Sequence, residues 1–469
     1  MIAAKRLHFT GILLLAGTYS GASWAADCLI QRGYAGIEGI SSHTSDSLWQ
    51  FDDPAFRNNT IANLYLSSVG RCTLTDTLSL KAQASGQYAL QAHQPGALED
   101  KRHQGVGIIN EATASWAASE SWYIDLGKIR KTSGYLFSVA PLDLLRNVSG
   151  NMRSVRVFGL GDRWRNFYDE GAYGISSSLY RNEGTYTLAA FPRLKRNDQR
   201  QEAASEWDAV LRTNSTDRYY ASYTATGLKA FNPTFSLLTG SQKTLAMGTS
   251  GNLTDKLILS VEGSLSHGQT WRHLDTAATR NTRQFRTEQE AYNIRSNGAQ
   301  GDIGVGLRYT TDDQTEYGAE YYGQSQGYSR SEWQDNFDTI RFVNGGYTKS
   351  LPPLPPSLAT EIRNGYQQYS RMMAAETDNT GRAGNLLGKH YLTLYTRTNK
   401  EQVGSIDWSV SGMANLVDGS SVLNLHLSTP LKNNIEVYSG VAASFGSKES
   451  EFGTFGEKGN IYAGMRINW

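Results

Sequence analysis

Apolar and polar residues alternate along most of this chain. In 255–266, Leu257, Leu259, Val261 and Leu265 fall on one face, with Lys256, Glu262 and Ser264 on the other. In 301–311 the apolar row is Ile303, Val305, Leu307 and Tyr309, opposite Asp302 and Arg308. In 434–446 it is Ile435, Val437, Val441 and Phe445, opposite Glu436 and Tyr438. A period of two gives a β-strand with one greasy and one wet face. Segments of this kind, bounded by turn residues, recur at 32–40, 59–69, 76–88, 105–117, 121–130, 171–181, 184–192, 206–213, 217–226, 234–250, 255–266, 301–311, 315–323, 386–397, 405–415, 420–429, 434–446 and 459–469. They predict eighteen strands, with 234–250 read as one long strand.

The connections fall into two classes. Asn182-Glu183, Thr311-Asp312-Asp313-Gln314 and Pro430-Leu431-Lys432-Asn433 are short, whereas 131–170, 267–300 and 324–385 are long. Short turns on one side, long loops on the other and an even strand number describe an all-β protein: a transmembrane antiparallel up-and-down β-barrel of about 18 strands, with short periplasmic turns and long external loops. Proline cannot donate to a β ladder, and all ten prolines fall in loops or at strand ends on this map. Closing the sheet satisfies every backbone group in lipid. A secreted β-sandwich needs fewer strands and lacks long one-sided loops.

Both termini agree with an exported barrel. Lys5 and Arg6, the short apolar stretch Gly11–Gly17 and the small residues around Ala25 read as a signal peptide over 1–25, leaving 26–469 as the barrel. Asp27 stands where a lipidation signal needs a small residue, so Cys28 is not read as lipidated. At the other end Ile461, Ala463, Met465, Ile467 and Trp469 alternate with Tyr462, Gly464, Arg466 and Asn468. Tyr462, Gly464, Ile467 and Trp469 resemble the C-terminal assembly signal of bacterial outer-membrane barrels. The map puts Cys28 before the first strand and Cys72 in the first periplasmic turn. Two cysteines at one rim of an exported chain predict a disulfide.

Composition narrows the function. Among 469 residues are 47 glycines, 26 tyrosines and 10 tryptophans, with a mean hydropathy of −0.46. No stretch after the signal is long and apolar enough for a spanning helix, but a barrel exposes only alternate residues to lipid. A net charge of +1, with no acidic or basic tail, gives no reason to expect a nucleic acid. His43, His93, His103, His267, His273, His390 and His426 show no Ser/His/Asp setting, and His267 and His273 carry no zinc motif. The expectation is a non-enzyme with no cofactor and no metal.

The candidate pathway lies after the fifth strand. Lys128, Arg130, Lys131, Arg146, Arg153, Arg156, Arg163 and Arg165 face only Asp143 and Asp162, and Leu136, Phe137, Val139, Leu142, Leu144, Leu145, Val155, Val157, Phe158 and Leu160 share the stretch. So apolar a loop should fold inward over 131–170 and narrow the pore, where its cations would select anions. Glu262, Arg308 and Glu436 are expected on the pore wall. In the large external loop 324–385, Leu358, Ile362, Tyr366, Tyr369 and Met373 have helical spacing behind Leu351-Pro352-Pro353-Leu354-Pro355-Pro356. A helix there would act as a lid or as a folded cap.

Tyr123–Lys128, Ser138–Leu145, Glu170–Gly174 and Ala189–Pro192 resemble the alginate-export family and similar substrate-selective outer-membrane porins. The resemblance covers about a sixth of the chain and does not extend across 200–385. It implies an 18-stranded barrel that passes an acidic polysaccharide. The expected function is therefore an outer-membrane channel for passive passage of a polar, anionic solute or acidic polysaccharide, as export conduit or selective porin. A barrel-embedded hydrolase and a surface adhesin or receptor are the alternatives. The expected partners are outer-membrane lipid and lipopolysaccharide, the barrel assembly machinery, the solute itself and periplasmic export proteins.

Overall fold

The computed structural model describes residues 27–49, 59–89, 105–148, 169–196, 209–228, 231–285, 291–294, 297–382, 385–398, 400, 402–432 and 434–469. The expected signal peptide and Arg153, Arg156, Arg163 and Arg165 lie outside these residues.

Alternation builds one closed sheet. Its strands are β1 (Asp27–Thr44), β2 (Asn59–Thr73), β3 (Leu78–Ala89), β4 (Gly105–Ser119), β5 (Trp122–Ile129), β6 (Ala172–Arg181), β7 (Gly184–Phe191), β8 (Arg218–Ala225) and β9 (Thr234–Gly240). They continue as β10 (Lys243–Asn252), β11 (Leu257–His267), β12 (Ala299–Thr310), β13 (Thr315–Gln324), β14 (His390–Thr398), β15 (Asp407–Asn415), β16 (Ser421–Lys432), β17 (Ile435–Phe445) and β18 (Glu457–Asn468). Each strand pairs antiparallel with its sequence neighbours. β18 closes the ring on β1, with Tyr34 opposite Asn468 and Glu38 opposite Gly464. The backbone groups of Trp469 and Gly33 exchange hydrogen bonds of 2.9 and 3.0 Å, and the Trp469 indole covers Gly33. Leu126, Leu188, Leu245, Leu265, Leu394 and Ile461 are exposed on the outer wall, as lipid-facing side chains must be. Tyr462, on the opposite face of β18, is buried beside His426.

The strand number matches the expectation through two departures that cancel. Residues 234–250 are two strands, β9 and β10, joined by the turn Ser241-Gln242. Gly240 at the turn adopts φ 117°, in the left-handed region. Thr234, Ser236, Leu238, Thr244, Ala246 and Gly248 are all buried on the inner side. The even-numbered row therefore continues through the turn, and the period of two conceals the break. In the expected strand 206–213, residues 209–214 form instead a short helix, α1 (Ala209–Asn214). Asn214 donates to the Tyr173 and Pro192 carbonyls at 2.8 and 2.9 Å, which pins this helical turn on β6 and on the residue after β7.

Cys28 and Cys72 form a disulfide. Neither flanks a strand as expected. They are opposite partners in the β1–β2 ladder, because both strands run further toward the periplasmic rim than the sequence map allowed.

On the external side the connections pack together. Helices α2 (Thr276–Arg283), α3 (Arg330–Val343) and α4 (Pro356–Arg382) enclose Trp271, Tyr328, Trp333, Phe337, Tyr366 and Met373. Ser329 and Glu332 cap α3 reciprocally, and Pro356 opens α4, where its missing N–H costs nothing. Of the expected helical stripe, Tyr366, Tyr369 and Met373 are buried, whereas Leu358 is exposed.

Candidate functional site in the barrel interior

The chain leaves β5 at Ile129, and residues 130–146 run against inward-facing side chains of distant strands. On β11, Leu265 is exposed to the outside, so Glu262 points inward; on β13 the same holds for Tyr317 and Glu320. Both carboxylates meet this loop. Glu262 accepts hydrogen bonds from the backbone N–H of Tyr135, of Leu136 at 3.1 Å and of Leu142 at 3.0 Å. Glu320 accepts from the N–H of Phe137 at 2.6 Å, the N–H of Ser138 at 2.8 Å and the Ser138 hydroxyl at 2.6 Å.

Apolar contacts follow the same path. Leu136 lies over Gly304 and Gly306 on β12, where any Cβ would overlap it, and Leu142 lies over Gly248 on β10. Phe137 packs on Tyr395, ring centroids 4.4 Å apart, beneath the Arg397 guanidinium. The Tyr135 hydroxyl bonds Thr234 Oγ1 at 2.7 Å and donates to the Asn232 carbonyl at 3.1 Å. The loop then doubles back. Ser133 donates its N–H to Asp143 Oδ1 at 3.1 Å and its hydroxyl to the Leu142 carbonyl at 2.9 Å. Gly134 supplies φ 116° where the two limbs cross at Ala140. Burial pushes the Asp143 carboxyl up to about 7, against the Ser133 N–H that favours its ionised form. Leu145 rejoins the wall near Ile129, Phe191 and Tyr220.

The expected pathway residues separate into groups. Lys128 is fully enclosed and paired with Glu170, which also binds Arg212 at 2.9 Å. Lys131 pairs with Asp125 at 3.7 Å, and Arg146 with Asp169 at 3.0 Å. Arg130 has no ion-pair partner among the described residues. Glu262 is spent on the loop. Arg308 faces Glu316 at 3.9 Å, and Glu436 pairs with Arg466. Sequence reasoning missed Glu320, Arg397, Glu170 and Arg212. For Glu320 a signal existed: Glu316 and Glu320 recur on the inward row of β13. Glu170 and Arg212 come from separate connections, and no local pattern joins them.

Toward the short-turn end the interior opens into a cavity of about 920 Å³, lined by Glu316, Arg397, Asp407, Lys432, Glu436 and Arg466 among others. No group of three or more His, Cys, Asp or Glu among the described residues could hold a metal ion.

Solved structures share this architecture. Acinetobacter baumannii OccAB1 aligns over 95% of this chain and 98% of its own, with a TM-score of 0.51 at 9% identity. OccAB3 of the same organism aligns over 94% and 99%, with a TM-score of 0.50 at 8% identity. The fold is that of an outer-membrane porin. At such identity the likeness is one of fold alone. The chain matches no family model and no curated protein. The alginate-export resemblance thus remains a matter of short motifs. A closed, even-numbered barrel with an apolar outer wall is a multi-pass protein of the bacterial outer membrane.

Proposed function

We propose that the protein is a passive outer-membrane channel for a polar, anionic solute, narrowed by the loop over 130–146. The observation that carries this reading is the loop itself, laid against the inner faces of β10 to β14 and leaving a charged cavity on its periplasmic side. The sign of the solute follows from exposure within the ion pairs. Lys81 is 42% exposed against 8% for its partner Glu111, and Arg308 is 42% exposed against 16% for Glu316. Arg397, also paired to Glu316, is 35% exposed, and Arg466 is 20% exposed against 15% for Glu436. In each of these four pairs the cation is the more accessible half. Exposed guanidinium groups offer forked donors to carboxylate, sulfate or phosphate. Passage of an acidic polysaccharide is the more specific form of this reading and rests on the motif resemblance.

The test is the reversal potential of the purified protein in planar bilayers under a salt gradient. Anion preference is expected, and it should fall in the Arg308→Ala, Arg397→Ala, Arg466→Ala triple variant. The difference should shrink at 1 M salt, where screening acts within about 3 Å. A cation-selective wild-type channel would overturn the sign, and a protein that never conducts would overturn the channel.

A further inference from the structure

We propose that Glu262 and Glu320 are positioning residues that fix the aperture by clamping the loop, rather than wall charges that meet the solute. The inference rests on the channel reading above and adds what sets the width of the passage.

Six donors converge on two carboxylates. Glu262 takes N–H groups from both limbs of the loop, Tyr135 and Leu136 on the way out and Leu142 on the return. It therefore ties the limbs to each other as well as to β11. Glu320 takes the next two backbone donors, Phe137 and Ser138, and the Ser138 hydroxyl, and holds the bend to β13. An ionised carboxylate only accepts, and an array of oriented N–H groups both suits it and holds it in place. Glu262 is 1% exposed and Glu320 is 4% exposed, so neither is available to a permeating ion. Gly304 and Gly306, on the strand between the two glutamates, give Leu136 its seat. The chemistry is thus a seat of missing side chains flanked by two acceptors, and it selects one position for the loop.

The experiment uses the full-length protein in two readouts: single-channel conductance, and swelling of liposomes in neutral sugars of increasing size. Neutral sugars report width without charge. The Glu262→Ala, Glu320→Ala variant should conduct about twofold more or better and admit a larger sugar than the wild type, because pore diameter limits passage. Glu262→Gln, Glu320→Gln keeps an acceptor oxygen at each site and should widen the channel less. Gly304→Ala crowds Leu136 and Pro141 without touching either carboxylate, so it should also widen the passage; it serves as the independent variant if the alanine pair does not assemble. Wild-type conductance and size limit in both the alanine pair and Gly304→Ala would overturn the clamp. So would equal reversal-potential shifts in the Ala and Gln pairs with no change in size limit, which is the behaviour of wall charges. A silent wild-type protein would instead strike the channel reading, so the two failures are distinguishable.

Discussion

The loop in the lumen and the cap on the external face are both insertions between strands, and they are held by opposite means. The loop hangs from two glutamates and a glycine seat, with most of its polar fixation passing through Glu262 and Glu320. The cap is held by burial of aromatic rings: Trp271 meets Tyr328 edge to face, Tyr328 tilts against Trp333, Trp333 stacks on Phe337, and Tyr347 stacks on Tyr366. Directional bonds to a few acceptors fix a position and fail together when an acceptor goes. Apolar burial is non-directional and spread over many partners, so its loss is graded. A passage needs a defined width, and a surface cover needs only to stay folded.

The largest effect should come from the cap. Trp333→Ala empties the centre of the aromatic cluster, and a buried Trp→Ala change costs about 3–5 kcal/mol. We expect hydrogen exchange in α3 and α4 to accelerate strongly while the β-strands keep their protection and conductance stays at the wild-type level. If conductance rose as much as in the glutamate pair, cap and loop would be one mechanical unit and the contrast would fail.

The cap should also depend on pH. Burial pushes the carboxyls of Glu376 and Glu451 up from the ordinary glutamate range to about 7, with Arg272 opposing the shift at Glu376 and hydrogen bonds from Tyr391 and the Leu387 N–H opposing it at Glu451. A raised carboxyl pKa means that the folded state binds more protons. The stability contribution is then fully present below about 4.5 and is lost as pH rises through about 7. At about 1.4 kcal/mol per unit, each group accounts for on the order of 3 kcal/mol. The cap should therefore unfold at lower denaturant at pH 8 than at pH 5, followed by tryptophan fluorescence. Glu451→Gln should remove part of that difference. A cap more stable at pH 8 would show that the ionised forms are the favoured ones.

How legible each region was in the sequence follows from the same physics. The wall was readable because lipid imposes a strict period of two, and the breaks missed at Ser241-Gln242 and at Ala209–Asn214 are places where local geometry left that period undisturbed or short. The inward rows of β12 and β13 also held the clamp in plain view: Gly304 and Gly306 mark a close approach by another chain segment, and Glu316 and Glu320 repeat an acid on one face. Which backbone meets them is a long-range fact. Phe137 and Glu320 lie 183 residues apart, and only the closed barrel brings them together. The cap was half-readable. Helical spacing announced α4, but the buried cluster it joins also draws on Leu48 and Trp49 after β1, on Trp271 and Leu274 after β11 and on α3.

The smallest effect sharpens the contrast at the tip of the loop. Tyr135 is the one loop side chain that reaches the periplasmic end of β9, through its hydroxyl on Thr234 and Asn232. Tyr135→Phe removes those bonds and leaves the ring, the Glu262 and Glu320 contacts and the glycine seat intact. The loss should be about 1 kcal/mol, the usual net worth of a hydrogen bond. Mean conductance should then change little, with more open-channel noise as the tip moves. The ordering of the variants is the informative quantity. If Tyr135→Phe widened the channel more than the Glu262→Ala, Glu320→Ala pair, the loop would hang from its tip and the two carboxylates would be bystanders. If it were silent while the pair opened the channel, the position of the loop would be set at its bend, where six donors meet two acid groups.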